Sequence, residues 1–204
     1  MPRRLSVILA HVRRLPIVFG LVLALAACGS SEKTISKKKL SKLVLQQADV
    51  GSRFSAFYDG PQLTIDASPP RADPTRFGRE GGWIARYRRA GSASTSGPLV
   101  VASRADLFKD PGGAKKDLDL YRSQLRTLAG PGVLKDLPQL GYGAAAITHV
   151  QGAGRFAVRF FDIAWREANA TAELEVNGFE GRLELEQAIA LAKKQRARMR
   201  TAAR

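Results

Sequence analysis

The feature that most constrains the fold is a series of three alternating segments near the C-terminus. They are residues 144–150 (AAAITHV), 154–166 (GRFAVRFFDIAWR) and 169–178 (NATAELEVNG), and only short links separate them. Alternation of apolar and polar residues is typical of a β-strand with one buried face. Because a parallel connection needs a long crossover, links this short predict a three-stranded antiparallel meander.

The alternation also predicts which side chains share a face of the meander. One face of the last strand carries small and aliphatic side chains: Ala170, Ala172, Leu174 and Val176. Three large apolar residues of the preceding strand share a face as well: Phe161, Ile163 and Trp165. Glu173 and Glu175 lie with Thr171 on the opposite face of the last strand. Paired carboxylates on a cleft are typical of a glycosidase, but a solvated strand face explains the two glutamates better.

Upstream of the meander the sequence predicts a β-hairpin and a helix. Residues 83–89 (WIARYRR) and 98–108 (PLVVASRADLF) alternate, and the loop 90–97 joins them. Asp110 and Pro111 have the residue types of an N-cap and a first helical position. An apolar stripe at helical spacing follows and ends before Gly130-Pro131-Gly132: Ala114, Leu118, Tyr121, Leu125 and Leu128.

Three further segments complete the expected fold. A short helix is expected from Leu40 to about Gly51, and residues 59–82 are expected to form a long loop with a brief strand at 63–65. A final helix is expected from about Leu183 to Arg200. The apolar stripe of this helix comprises Leu185, Ile189, Ala192 and Met199. The order of elements predicts an α+β domain, an antiparallel sheet of about five strands with two to three helices packed on one face.

The N-terminus has the pattern of an export signal. A basic segment is followed by the 13-residue apolar run LPIVFGLVLALAA (15–27), which is too short to span a bilayer well. The run ends in Leu25-Ala26-Ala27-Cys28, and Cys28 is the only cysteine of the chain. This sequence resembles the lipobox of bacterial lipoproteins. The resemblance implies cleavage between Ala27 and Cys28 and a diacylglyceryl group on the Cys28 sulfur.

The lipobox resemblance sets the expected domains and location. Residues 1–27 would be the signal peptide, 28–42 the lipidated cysteine with a flexible basic tether, and 43–204 a single extracytoplasmic domain. The tether is expected to be unfolded because the segment 29–42 is polar and rich in lysine. The domain is therefore expected to face the extracytoplasmic side of the cell membrane. Alternatives are an ordinary secretory signal or an uncleaved anchor.

A second resemblance covers about residues 99–200. The segments VVASRADLFKDPGGAKKDLDLY, FDIAWREANATAELEVNG and EQAIALAKKQRARM are similar to uncharacterised actinobacterial envelope lipoproteins and sensor-type extracellular domains. The resemblance implies an envelope location, and some of these relatives have a Mog1p/PsbP-like α/β/α fold. The chain departs from this group at Gly141-Tyr142-Gly143, where the group tends to have Gly-Asp. No catalytic residue is carried over from the resemblance.

The residues available for chemistry are few. The chain from Cys28 onward keeps one histidine, His149, and it lacks the Gly-x-Ser-x-Gly and Walker motifs. Too few nitrogen and sulfur ligands remain for a zinc or iron site, so no metal or other cofactor is expected. A hydrolase that uses a serine, His149 and an aspartate is an open alternative. A partly buried structural histidine within the strand 144–150 is the simpler interpretation.

The charge of the chain points to anionic partners. The net charge is +15, and the segment from Cys28 onward keeps +11 because residues 1–27 contain four arginines and no acid. Candidate ligand or lipid contacts are Trp83, Arg86, Tyr87 and Arg88. A second basic segment, KKQRARMR, covers 193–200. We expect a non-catalytic accessory domain that binds anionic lipid, a cell-wall polymer or a partner protein, but not nucleic acid. A structural or sensory domain is the remaining alternative.

Overall fold

The computed structural model describes residues 33–62, 77–129, 135–141 and 143–204, with only the backbone described at 127–129. These residues belong to one compact unit that runs from Glu32 to Arg204. The signal peptide, Cys28 and the brief strand expected at 63–65 lie outside the described residues, as do the Leu128 side chain and the stop at 130–132. None of the described helices is long and apolar enough to cross a membrane.

The described residues form a seven-stranded sheet in which every strand pairs antiparallel. The strands are β1 (Ser55–Pro61), β2 (Arg79–Arg88), β3 (Val100–Phe108), β4 (Lys135–Asp136), β5 (Ala145–Gln151), β6 (Val158–Glu167) and β7 (Ala170–Phe179). Their spatial order is β1-β2-β3-β7-β6-β5-β4. The helices are α1 (Gln47–Val50), α2 (Pro111–Ala129) and α3 (Leu185–Ala202). The α+β class, the hairpin β2–β3 and the meander β5–β6–β7 are confirmed.

The sheet has two more strands than the five expected. β1 and its partner β2 occupy both ends of the predicted 59–82 loop. Gly60 and Pro61 favoured a loop in the sequence, but β1 is an edge strand, and an edge strand tolerates proline because one side needs no N–H donors. β4 is only two residues long and carries no periodic signal.

Helices cover both faces of the sheet rather than the one face expected. On one face, α3 packs on β6 and β7 through Ile189, Ala192 and Met199. On the other face, the α2 stripe packs on β5 and β6, where Leu118, Tyr121 and Leu125 form a cluster with Ile147 and Ala164. The layers are therefore helix, sheet and helix. The predicted α2 cap is confirmed, since the Gly113 N–H donates to Asp110 Oδ1 at 2.8 Å.

The first described segment of the chain differs from both sequence predictions made for it, the flexible tether and the short helix from Leu40 to about Gly51. Lys37–Lys42 forms a 3-10 helix and α1 is one turn long, so no continuous helix runs from Leu40 to Gly51. Between them the Leu45 N–H donates to Ser103 Oγ at 2.9 Å instead of to a helical carbonyl. Ile35 and Leu40 are buried. The part of the predicted tether from residue 33 to 42 is therefore packed on the domain, and its expected flexibility is wrong there.

Candidate functional site

The four predicted contact residues lie on two different faces of β2. Trp83 and Tyr87 point toward the α3 layer, whereas Arg86 and Arg88 point toward the α2 layer, because side chains alternate along a strand. Tyr87 is 2% exposed and its hydroxyl donates to the Leu45 carbonyl at 2.8 Å. Burial, with the nearby carboxylate of Asp59, raises the pKa of Tyr87 to about 12. Tyr87 is a core residue, and the four side chains do not form one surface.

Trp83 and Arg88 each have a local partner. Trp83 is half-buried against the core and donates its Nε1 proton to Asp59 Oδ1 at 2.7 Å. The Arg88 guanidinium lies over the Phe57 ring at 5.5 Å from its centroid. Both contacts bind β2 to the edge strand β1. Arg88 is an exposed cation at the end of β2.

Arg86 belongs to a charged set in the middle of the sheet, which we call the polar sheet face. The set comprises Arg86, Arg104, Asp162, Glu173 and Glu175. The strand register places Arg86, Ala102, Glu175 and Asp162 in one row across four strands. The next row contains Arg104 and Glu173, which pair across β3 and β7 with Nη1 and Oε2 3.6 Å apart. Cations therefore lie on β2 and β3, and carboxyl groups on β7 and β6.

The polar sheet face is costly for folding. Glu173 is 6% exposed, and the Arg104 and Asp162 side chains are 15% and 14% exposed. Apolar residues of similar size at such positions are often as stabilising as a buried ion pair, or more so. The interpretation of Glu173 as part of a solvated strand face is wrong because the adjacent strands and α2 cover it. A chain that keeps buried charges in the centre of its sheet is a candidate for a function at that place.

Asp162 has a strongly perturbed carboxyl group. Burial raises its pKa to about 8, and the negative charges of Glu173 and Glu175 add to the effect while Arg104 opposes it. At pH 7 the group is mostly protonated and can donate a hydrogen bond. With Asp162 neutral, the two arginines balance the two glutamates. The polar sheet face therefore carries many hydrogen-bonding groups and little net charge.

His149 lies at the border of this face. Its ring stacks on Phe160 with centroids 4.7 Å apart and planes 4° from parallel. His149 Nδ1 lies 3.5 Å from Asp162 Oδ2, and the His149 side chain is 43% exposed. Burial lowers the pKa of His149, so the ring is mostly neutral at pH 7. The strand 144–150 therefore holds a partly buried histidine beside an acid.

A serine-based triad is not assembled around His149 in the part of the chain that the structure describes. The positions that flank it on this face are Ile147, Gln151 and Phe160, together with Asp162. Ser103 lies on the opposite face, where it is buried and donates to Gln195 Oε1 at 2.8 Å. Within the described ranges, no group of three or more His, Cys, Asp or Glu residues is placed to hold a metal ion.

A second surface feature, which we call the basic groove, lies on the other side of the sheet, between α3 and the Lys37–Lys42 helix. It has a volume of about 610 Å³. Its charged lining residues are Lys39, Lys42, Asp49, Lys194 and Arg198. A smaller groove of about 250 Å³ follows at the end of α3 and contains Lys33, Glu167, Arg200 and Arg204. The sequence identifies the α3 cations, but it predicts the lysines of 33–42 to lie in a flexible tether.

Sequence reasoning did not identify Asp162 or Arg104 as candidate site residues. Asp162 interrupts an apolar run, RFFDIAW, at a strand position. An acidic residue in an otherwise apolar strand sequence is unusual, and this was the signal from which Asp162 could have been identified. Arg104 has an ordinary context in ASRADL, and only the pairing of β3 with β7 places it beside Glu173.

The comparisons with known proteins concern the fold. No protein-family model matches the sequence, and no curated protein is significantly similar to it. Among solved structures, the chain is similar to the extracellular domain of PknH from Mycobacterium tuberculosis, with a TM-score of 0.65 and 13% sequence identity. The match covers 83% of this chain and 99% of that domain. The two proteins share a fold, in agreement with the resemblance to sensor-type extracellular domains.

Proposed function

We propose that the chain is a lipoprotein of the bacterial cell envelope, attached through Cys28, whose extracytoplasmic domain binds a ligand without catalysis. The lipobox Leu25-Ala26-Ala27-Cys28 supports the attachment. The fold shared with an extracellular domain supports the location outside the cytoplasm. A diacylglyceryl group carries two acyl chains, and two chains give stable membrane anchoring where one gives only marginal binding.

The polar sheet face is the proposed ligand site. The observation that carries this proposal is the placement of Arg86, Glu175 and Asp162 in one row across the centre of the sheet. Because the site has balanced charges and many hydrogen-bonding groups, an uncharged, hydroxyl-rich ligand fits it best. The half-exposed Phe160 and His149 rings and the exposed Tyr58 border this row and provide surfaces on which sugar rings stack. A cell-wall glycan has this chemistry.

Titration of the mature lipoprotein, held in nanodiscs, with soluble glycan fragments of purified cell wall tests the ligand site. We expect saturable binding that Glu175→Gln or Arg86→Gln weakens by about tenfold, because each change removes a charged hydrogen-bonding partner. Lys116→Gln is the matched control, since Lys116 is an exposed cation of α2 outside the row. Equal binding by all variants would place the site elsewhere, and an absence of binding by the native protein would refute the glycan proposal.

A sensory role is the second candidate. The fold shared with the extracellular domain of PknH favours it. In that case ligand binding would change a contact with a membrane partner, and the same row of residues would be needed.

A further inference from the structure

The basic groove carries more positive charge than the fold neutralises. Together with the smaller groove at the end of α3, it is lined by seven cations and two carboxylates. Both carboxylates already have partners. Asp49 accepts from Arg198 Nε at 2.5 Å and from the Gln46 N–H at 2.8 Å. Glu167 accepts from Arg196 Nε at 3.1 Å.

Several of these cations are held in place by the fold. Lys39 Nζ donates to the Ala202 carbonyl at 2.8 Å, near the last turn of α3, and Lys194 Nζ donates to the Asp49 carbonyl at 2.5 Å. The first bond joins the Lys37–Lys42 helix to α3 and the second joins α1 to α3, so these three elements form the walls of the groove. Carbonyl partners leave each ammonium with its full charge. Lys42 and Lys33 are exposed. The result is a fixed concave surface of positive potential.

The groove lies close to the proposed lipid attachment along the chain. Five peptide units separate Cys28 from Lys33, and fully extended they span at most about 18 Å. Ile35 is then fixed to the domain by Asn169, since the Ile35 N–H donates to Asn169 Oδ1 at 2.6 Å. A lipid on Cys28 would therefore keep Lys33 and the α3 end of the domain within reach of the headgroups.

We propose that the basic groove, together with the smaller groove that contains Lys33, binds the phosphates of anionic phospholipid headgroups in the membrane that holds Cys28. This inference rests on the proposed lipid attachment. Each lysine or arginine near an anionic surface contributes on the order of 1 kcal/mol, so a groove with several such cations fixes the orientation of an already tethered domain. The polar sheet face lies on the opposite side of the sheet and points away from the lipid.

A single introduced cysteine tests the docking, because Cys28 is the only native cysteine and the proposed lipid would block its thiol. The mature lipoprotein with Ala197→Cys, on the wall of the groove, is labelled with a fluorophore and placed in vesicles. Ser123→Cys on the exposed side of α2 is the matched control. Vesicles contain phosphatidylcholine alone or phosphatidylcholine mixed with phosphatidylglycerol. Iodide in the aqueous phase quenches labels that are not covered by lipid.

We expect phosphatidylglycerol to make iodide quenching at position 197 at least about threefold weaker, and high salt to reverse the protection, since the attraction is electrostatic. Quenching at position 123 stays unchanged. Lys33→Glu with Lys42→Glu abolishes the protection, whereas Lys109→Glu with Lys116→Glu, an equal change of charge at exposed positions elsewhere, retains it. Circular dichroism verifies that both double variants fold.

Two different failures are distinguishable. A protein that fails to float with either kind of vesicle contradicts the lipid attachment and with it the proposed function. A protein that floats with both kinds but is quenched equally at position 197 overturns the groove proposal alone. Equal loss of protection in the two double variants overturns it as well, because net charge rather than the groove would then explain the contact.

Discussion

Asn169 binds the backbone of Ile35 on both sides across 134 residues of sequence: its Oδ1 accepts from the Ile35 N–H at 2.6 Å, and its Nδ2 donates to the Ile35 carbonyl at 3.2 Å. The two hydrogen bonds have the pattern of a strand pair, made by one side chain in the β6–β7 turn. They fix the chain to the domain at Ile35, seven residues after Cys28 in the sequence.

Replacement of Asn169 by alanine tests the importance of this junction. Asn169 is buried, and its Nδ2 also donates to the Phe108 carbonyl at 2.7 Å. Asn169→Ala leaves three backbone groups without this partner, so we expect the free energy of unfolding to fall by about 2–4 kcal/mol. Urea unfolding measures the change. Asn177→Ala, at a half-buried position of β7, should cost less than about 1 kcal/mol, and equal losses would contradict the special role of Asn169.

Asp162 predicts a pH dependence of stability. Its pKa is about 8 in the folded protein against 3.8 in a model compound, so the folded state binds the proton more tightly than the unfolded state. Stability is therefore greatest at low pH in this window and falls as the pH rises from about 4 to 8, by at most about 1.4 kcal/mol per pH unit. In Asp162→Asn this fall should disappear. Urea midpoints at pH 5, 6.5 and 8 that decline equally in both proteins would refute the assignment.

His149 also makes stability depend on pH, and its contribution must be distinguished from that of Asp162. Its lowered pKa has the opposite consequence, because the neutral ring is favoured in the folded protein and stability is lost as the pH falls below the unfolded pKa. His149→Gln should therefore make stability rise more steeply as the pH falls below about 6.5, and it should leave the decline caused by Asp162 unchanged. The same urea series in the single and double variants resolves the two groups.

Tyr87 distinguishes a structural role from a ligand contact. Tyr87→Phe keeps the buried ring and removes the hydrogen bond to the Leu45 carbonyl. We expect a loss of about 1 kcal/mol in the free energy of unfolding and no change in binding of glycan fragments or in protection of the basic groove. A change in binding with unaltered stability would instead identify Tyr87 as a ligand contact.

The sheet was predictable where local pattern and tertiary environment agree. β6 and β7 of the meander alternate because one face of each strand packs under α3, and α2 has both a cap at Asp110 and a regular apolar stripe. β1 was not predictable, since nearly all of its residues are exposed and its end contains Gly60 and Pro61. The second helix layer was missed because a stripe on α2 does not reveal which face of the sheet it covers.

The candidate sites depend on contacts between distant segments. Lysine-rich composition indicated a flexible tether, but the buried side chains Ile35 and Leu40 hold that segment on the domain. The sequence placed Glu173 and Glu175 on one strand face. It did not place Arg104 and Asp162 beside them, since the strand order β3-β7-β6 brings together residues far apart in the chain.

The intact mass of the membrane-extracted protein tests the central claim, attachment through Cys28, most directly. We predict a polypeptide that begins at Cys28 and carries the added mass of a diacylglyceryl group, with both features lost in Cys28→Ala. A native protein that retains residues 1–27, or one that begins elsewhere with an unmodified Cys28 thiol, would contradict the account.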